Sequence, residues 1–116
     1  MLKILLVEDH EDSLKAMSVL LRNPEFRVIT ATCVEGALEA AAVENFDLLI
    51  SDLGLADGSG LQLMKELLAR RPIKGIALTG YGTESDIQQT KEAGFQKHLT
   101  KPIRFLDLEA AIHEVA

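Results

Sequence analysis

The chain opens on an unbroken apolar run, Ile4 to Val7, which stops at the polar cluster Glu8-Asp9-His10-Glu11-Asp12. A run without polar alternation is the pattern of a strand covered on both faces. From about Asp12 the period changes. Leu14, Met17 and Leu21 recur at helical spacing, with Leu20 beside them, until Asn23-Pro24 ends the segment. Phe26 to Ala31 predicts a second strand centred on Val28 and Ile29, and Val34, Ala37, Leu38, Ala41 and Ala42 mark a second helical stripe. A third unit follows: a strand over Phe46 to Ser51, a loop rich in Gly and Asp from Asp52 to Ser59, and a helix with Leu61, Met64, Leu67 and Leu68 on one side. The fourth strand is expected at Gly75 to Thr79. After Gly80-Tyr81-Gly82, the segment Glu84 to Ala93 is helix-like, but Ile87 is its only large aliphatic residue. Little burial holds it down, so it is expected to be the mobile helix. Gly94 closes it, His98 to Thr100 makes a short last strand, and Lys101-Pro102 turns the chain. Phe105, Leu108, Ile112 and Val115 then form a final amphipathic helix.

Five alternations of strand and helix with short connections predict an α/β fold, a parallel sheet with helices on both faces, because right-handed crossovers admit few other arrangements. In such sheets, sites form beyond the carboxyl ends of the strands. The 116 residues suit one domain, residues 1–116, with no repeat, low-complexity tract or linker.

Charge and cysteine content narrow the function classes. The net charge is -6, and Arg70-Arg71 is the only adjacent basic pair, so no continuous basic stripe is available for direct nucleic-acid binding. One cysteine, Cys33, has no internal disulfide partner and suits a reducing compartment. The N-terminal apolar run is too short to span a membrane and lacks a signal-peptide cleavage region, so a cytoplasmic location without membrane insertion is expected.

The strand ends carry the candidate chemistry: Glu8-Asp9 after the first strand, Asp52 after the third, Thr79-Gly80 after the fourth and Lys101 after the fifth. Alone, each acid is more often a solvated loop residue or a helix cap than a site, Thr79 a satisfied hydroxyl and Lys101 a surface charge. Together they are brought to one rim. Three carboxylates within about 5 Å of one another repel by roughly 3 kcal/mol per pair at an effective dielectric near 20. Hard oxygen donors of this kind suit Mg²⁺, which is usually held by one or two carboxylates and keeps waters for a phosphate-bearing partner. Lys101 and the Thr79 hydroxyl are then placed to hold phosphate oxygens. A carboxylate, a divalent ion, a lysine and a hydroxyl together describe phosphoryl transfer to an aspartate.

The chain resembles, over essentially its whole length, the receiver domains of response regulators and hybrid histidine kinases. The resemblance is carried by Ile4-Leu5-Leu6-Val7-Glu8-Asp9, by Asp47 to Leu55 with Gly60 eight residues after Asp52, by Ala77-Leu78-Thr79-Gly80 and by Lys101-Pro102. It implies a flavodoxin-like three-layer sandwich with strand order 2-1-3-4-5. It also implies that Asp52 is the phosphoacceptor and that Mg²⁺ is held by Asp9, by Asp52, by the Gly54 carbonyl and, through water, by Glu8. Thr79 and Lys101, with the backbone of Leu53 and Gly80, would bind the phosphoryl oxygens. Gly80 fits the small residue required beside the threonine, Gly54 and Tyr81 stand at positions that tune the phosphorylated lifetime, and the Lys101-Pro102 bond is expected to be cis. The implied partners are a histidine kinase or histidine phosphotransfer domain, docking over His10, Ser13 and Ala16, and a downstream effector. The last strand and the helix at Glu84 to Ala93 are the expected output face. The chain could be a stand-alone receiver or one cut from a longer protein, and Gly94-Phe95 to Pro102 is similar to receivers at the ends of hybrid kinases.

Two positions depart from the family pattern. Ala56 stands where proline is common. His98 takes the place of the tyrosine or phenylalanine that swings inward with Thr79, so it is the candidate switch residue. His10 and His113 look like ordinary exposed residues. Three rival readings fit less well. A haloacid-dehalogenase-like phosphatase needs a general acid two residues after the nucleophile, where Gly54 stands. A flavodoxin-like cofactor carrier needs a phosphate cradle that Glu8 to Ser13 lacks. A calcium loop starting at Asp52 has Asp57 and Leu63 in place of the required glycine and glutamate. A receiver that acts by interaction alone, without phosphate, remains the alternative within the family.

Overall fold

In a computed structural model, described here for residues 1–80 and 82–116, the strands and helices alternate as their patterning predicts. The strands are β1 (Leu2–Val7), β2 (Phe26–Ala31), β3 (Leu48–Asp52), the two-residue β4 (Gly54–Leu55) and β5 (Gly58–Ser59), β6 (Lys74–Thr79) and β7 (Lys97–Thr100). The helices are α1 (Glu11–Leu20), α2 (Val34–Val43), α3 (Gly60–Arg70), α4 (Glu84–Ala93) and α5 (Phe105–Val115). Five strands pair in parallel in the order β2-β1-β3-β6-β7, the expected flavodoxin-like 2-1-3-4-5 order once the small β4/β5 ladder is set aside.

The continuous apolar runs are explained by burial on both faces of the sheet. Ile4, Leu5, Leu6 and Val7 have no exposed surface, but alternate residues serve different cores. Ile4 and Leu6 pack with Ile50, Ile76 and Leu78 under α1 and α5, against Leu14, Met17, Leu108 and Ile112. Leu5, Val7 and Leu49 pack on the opposite face under α2 and α3, against Ala37, Leu63, Met64 and Leu67. The weakly apolar helix α4 buries only Thr90 and Ala93.

The third strand begins two residues later than its apolar pattern predicts and extends through Asp52. Asp47 explains the late start: its carboxylate accepts the Lys3 N–H at 2.8 Å and its own N–H donates to the Lys3 carbonyl at 2.9 Å, while Phe46 turns into the core ahead of the strand. The expected loop from Asp52 to Ser59 contains the short antiparallel β4/β5 ladder, which tucks Leu55 into the core. Asp57 lies between these two strands and accepts the N–H groups of Val34 (2.7 Å) and Glu35 (3.1 Å), capping the N-terminus of α2 from a distant segment.

These bonds to the backbone hold the exposed Asp57 carboxyl below the ordinary 3.8. A lowered folded pKa contributes stability in full above the ordinary value and loses it as pH falls through the folded value. Asp57→Asn is therefore expected to be less stable than wild type at neutral pH, with the gap closing below about pH 3.8. Denaturant titrations across pH check this; a gap independent of pH would contradict it.

Candidate functional site

Strand register builds the site. Val7 is level with Ser51, Asp52 with Leu78 and Thr79 with Thr100, so Glu8, Asp52, Thr79 and Lys101 follow one another across the carboxyl edge of β1, β3, β6 and β7. Backbone bonds continue past the strand ends: Glu8 N–H to the Ala31 carbonyl (3.2 Å), Leu53 N–H to the Leu78 carbonyl (3.2 Å) and Lys101 N–H to the Thr79 carbonyl (2.7 Å). The Lys101-Pro102 bond is cis, as expected.

The Lys101 ammonium donates to Asp52 Oδ2 at 2.7 Å and to Glu8 Oε2 at 3.1 Å. Glu8 is fully buried and Asp52 nearly so. Burial raises the Asp52 carboxyl above its ordinary range, the Glu8 charge adds to this, and Lys101 offsets only part. Burial also pushes Glu8 upward, but hydrogen bonds from His10 and Lys101 more than compensate and leave it lowered. Burial works against the Lys101 ammonium too, yet its bonds to Asp52 and Glu8 prevail and raise its pKa. Glu8 is thus the settled anion, and Asp52 carries its charge at a cost. An acid whose folded pKa is raised destabilises the fold once pH rises through that value. Asp52→Asn should therefore raise Tm at pH 7, with no gain below about pH 3.8. Thermal melts at both pH values measure it, and an unchanged or lower Tm at pH 7 would contradict the electrostatic account.

Thr79 is buried, and among the described residues its Oγ1 has no hydrogen-bond partner; the same holds for the buried Oδ1 of Asp9. An unsatisfied buried hydroxyl costs about 1–3 kcal/mol, so the Thr79 hydroxyl is the group at this rim that calls for a further partner, whereas Asp9 Oδ1 already faces the His10 ring at 3.1 Å. The oxygen-rich donor set fits a hard divalent cation beside Asp9 and an oxyanion beside Thr79. Glycines leave room for such ligands: a Cβ at Gly80 or Gly54 would meet no atom within 4 Å, so packing against the rest of the protein does not demand a glycine at either position. Gly60 is different. A Cβ there would lie 2.2 Å from the Asp52 carbonyl oxygen, so the start of α3 presses directly on the backbone of Asp52. The preceding Ser59 caps α3 by accepting the N–H groups of Leu61 and Gln62.

Of the residues singled out from sequence, Glu8, Asp52 and Lys101 are in direct contact, and Asp9, Thr79, Gly54 and Gly80 lie on the same rim. The Leu53 N–H, expected as a phosphate donor, is instead committed to the Leu78 carbonyl, because the chain keeps its sheet bonding for one residue beyond β3. His98 is half-buried on the edge strand β7, level with Ala77. Tyr81 lies outside the described residues. His10 is a correction. It is exposed, as expected, but not an ordinary surface residue: its Nδ1 is 3.0 Å from Glu8 Oε1 and 3.1 Å from Asp9 Oδ1, the latter without hydrogen-bond geometry. The Glu8 bond and the two acidic charges raise its pKa. A histidine directly after two strand-end acids was the available signal. His113 is exposed on α5.

Comparisons with known proteins bear on the family and the fold. The chain is 31% identical over 112 residues to the KDP operon transcriptional regulatory protein KdpE of Escherichia coli, covering 97% of this chain and 50% of that protein. The chain spans about half the length, or less, of the first curated relatives it matches. Among solved structures, the chemotaxis protein CheY4 of Vibrio cholerae superposes with a TM-score of 0.94 at 25% identity, covering 100% of this chain and 99% of that one. The BeF3-activated DrrB receiver domain gives a TM-score of 0.90 at 30% identity, covering 98% and 96%. Among the described residues, no helix is long and apolar enough to cross a membrane. The sequence profile of the response regulator receiver domain matches residues 4–113, nearly the full chain, and it is to this family of two-component signalling domains that the protein belongs.

Proposed function

We propose that residues 1–116 form one receiver domain that takes a phosphoryl group from a phosphohistidine onto Asp52. The observation that carries this reading is the pairing of Lys101 with the nearly buried Asp52 carboxylate, on the same rim as a buried Thr79 hydroxyl that has no partner among the described residues. In the transfer, an Asp52 carboxylate oxygen attacks phosphorus, the bond from phosphorus to the donor imidazole nitrogen breaks, and that nitrogen keeps the electron pair. Lys101 holds Asp52 in place and offsets the charge on the transferring group. The Thr79 hydroxyl and the Gly80 N–H donate to phosphoryl oxygens. Leu53 joins them only if it gives up its 3.2 Å bond to the Leu78 carbonyl. Asp9, Asp52 and the Gly54 carbonyl would hold Mg²⁺ directly and Glu8 through water, and the ion supplies neutralisation of the phosphoryl and carboxylate charge when bound.

The phosphoryl group adds about -1.5 to -2 charges. Thr79 and Lys101 are drawn toward it, and their movement biases α4, β7 and the half-buried His98, the face offered to a downstream partner. The donor, a histidine kinase or phosphotransfer domain, docks over His10, Ser13 and Ala16. The domain is not an enzyme with a turning-over substrate; it assists only its own phosphorylation and dephosphorylation, in the cytoplasm. That DrrB, at 30% identity, is described as BeF3-activated supports an activatable rim here.

Incubation with acetyl phosphate and Mg²⁺, followed by intact mass, tests the reading. One phosphoryl adduct is expected on wild type, and none after chelation or in Asp52→Asn. No adduct on wild type, or full yield in Asp52→Asn, would overturn it.

A further inference from the structure

Gly54 and Leu55 pair with Ser59 and Gly58 in a ladder only two residues deep, closed by a turn at Ala56 and Asp57. A hairpin of that size has little stability of its own. At its base the Gly60 N–H donates to the Leu53 carbonyl at 2.9 Å, and Leu55 is buried. At its tip Ala56 and Gly58 carry no polar side chain, and Ala56 does not fix the backbone as a proline would. Asp57 supplies the tie. Its Oδ1 accepts the Val34 N–H at 2.7 Å and its Oδ2 the Glu35 N–H at 3.1 Å, so both oxygens are engaged and the direction of approach is set as well as the distance. Packing supports the same contact: a Cβ at Gly58 would lie 3.2 Å from Val34 Cγ2. The other end of the tie is firm, because α2 buries Ala37 completely in the core. Helix α2 also has a cap of its own, but a weak one, the Cys33 Sγ accepting the Gly36 N–H at 3.3 Å.

We propose that Asp57 is a positioning residue for the acceptor site: by bonding the hairpin tip to the start of α2, it holds in place the backbone of Gly54, whose carbonyl would bind Mg²⁺. The inference rests on the Mg²⁺-dependent phosphorylation of Asp52 proposed above. Gly54 cannot hold itself. It is exposed, it has no side chain to pack, and glycine has the greatest backbone freedom of any residue. Its place is therefore inherited from its neighbours, Leu55 in the core and, through the ladder, Asp57 on α2. Mg²⁺ demands near-ideal octahedral geometry, so a backbone ligand that must first be ordered lowers affinity. Asp57 touches neither the cation nor the phosphoryl group; it acts through the hairpin.

The test compares wild type, Asp57→Ala, and Asp57→Ala combined with Cys33→Ser, as full chains well below their melting temperatures. Serine before α2 gives the helix a stronger cap that does not run through the hairpin, so the double variant should regain most of the Tm lost in Asp57→Ala. Calorimetric titration with MgCl2 should nevertheless show binding about tenfold weaker in both variants, the lower end for losing a group that orients a metal ligand. Amides of the β4/β5 ladder should exchange faster than in wild type. Phosphorylation by acetyl phosphate should be slow at limiting Mg²⁺ and approach the wild-type rate at saturation. Mg²⁺ affinity within about twofold of wild type in Asp57→Ala, or affinity that returns together with Tm in the double variant, would overturn the inference. So would a phosphorylation deficit that saturating Mg²⁺ does not relieve. If wild type binds Mg²⁺ and is phosphorylated but Asp57→Ala does both equally well, the inference alone fails. If wild type takes up no phosphoryl group, the reading of Asp52 fails with it.

Discussion

Gly60→Ala should destabilise the domain by about 3 kcal/mol, the upper range for forcing a side chain into a packed site. The added Cβ would lie 2.2 Å from the Asp52 carbonyl oxygen and 3.0 Å from Ser51 Oγ. The hydroxyl could rotate away, but the nearer atom is backbone. It belongs to a fully buried strand end whose carbonyl accepts the Ser51 hydroxyl at 2.8 Å. Relief requires α3 to retreat or Asp52 to move, and the second response also misplaces the acceptor carboxylate. Urea denaturation should show a lower midpoint with an unchanged slope, and phosphorylation should slow in parallel. A variant within about 0.5 kcal/mol of wild type would mean that the close approach is easily relaxed.

Lys101→Met should have the second large effect. Removing one partner of a buried ion pair leaves the other charge uncompensated, at about 3–5 kcal/mol; the one-third exposure of Lys101 reduces this to about 2 kcal/mol. Two carboxylates, Glu8 and Asp52, lose the same ammonium, so the loss is concentrated where both are ionised. It should be present at neutral pH and shrink in acid as they protonate. Added Mg²⁺ should recover part of it by binding the folded state. The double variant Lys101→Met with Asp52→Asn should be more stable than Lys101→Met alone, because the repulsion is gone. Additive effects in that cycle would show that the two side chains are not energetically coupled.

Most of this architecture is written in periodicity. Runs such as Ile4 to Val7 and the stripes in α1, α3 and α5 identify buried strands and amphipathic helices, and parallel register then carries Glu8, Asp52, Thr79 and Lys101 to one rim. Less legible are features that depend on where a single side chain turns. Asp47 delays β3 by bonding to the Lys3 backbone, and Asp57 caps a helix 23 residues away in sequence. Neither bond leaves a periodic trace. The β4 and β5 strands, two residues each, are too short for any alternation to be seen. His10 resembles any solvent-facing polar residue until its ring is found against Glu8 and Asp9. Gly60 stands out by its spacing from Asp52, but its reason, a backbone oxygen too close for a Cβ, is visible only in three dimensions.

The central claim is that Asp52 is the acceptor. An acyl phosphate is reduced by borohydride to an alcohol, which converts a phosphorylated aspartate to homoserine and marks its position permanently. After phosphorylation with Mg²⁺, reduction and proteolysis, the account predicts homoserine at residue 52 and at no other aspartate, including Asp9 and Asp57. Homoserine at another position with Asp52 unmodified would contradict it.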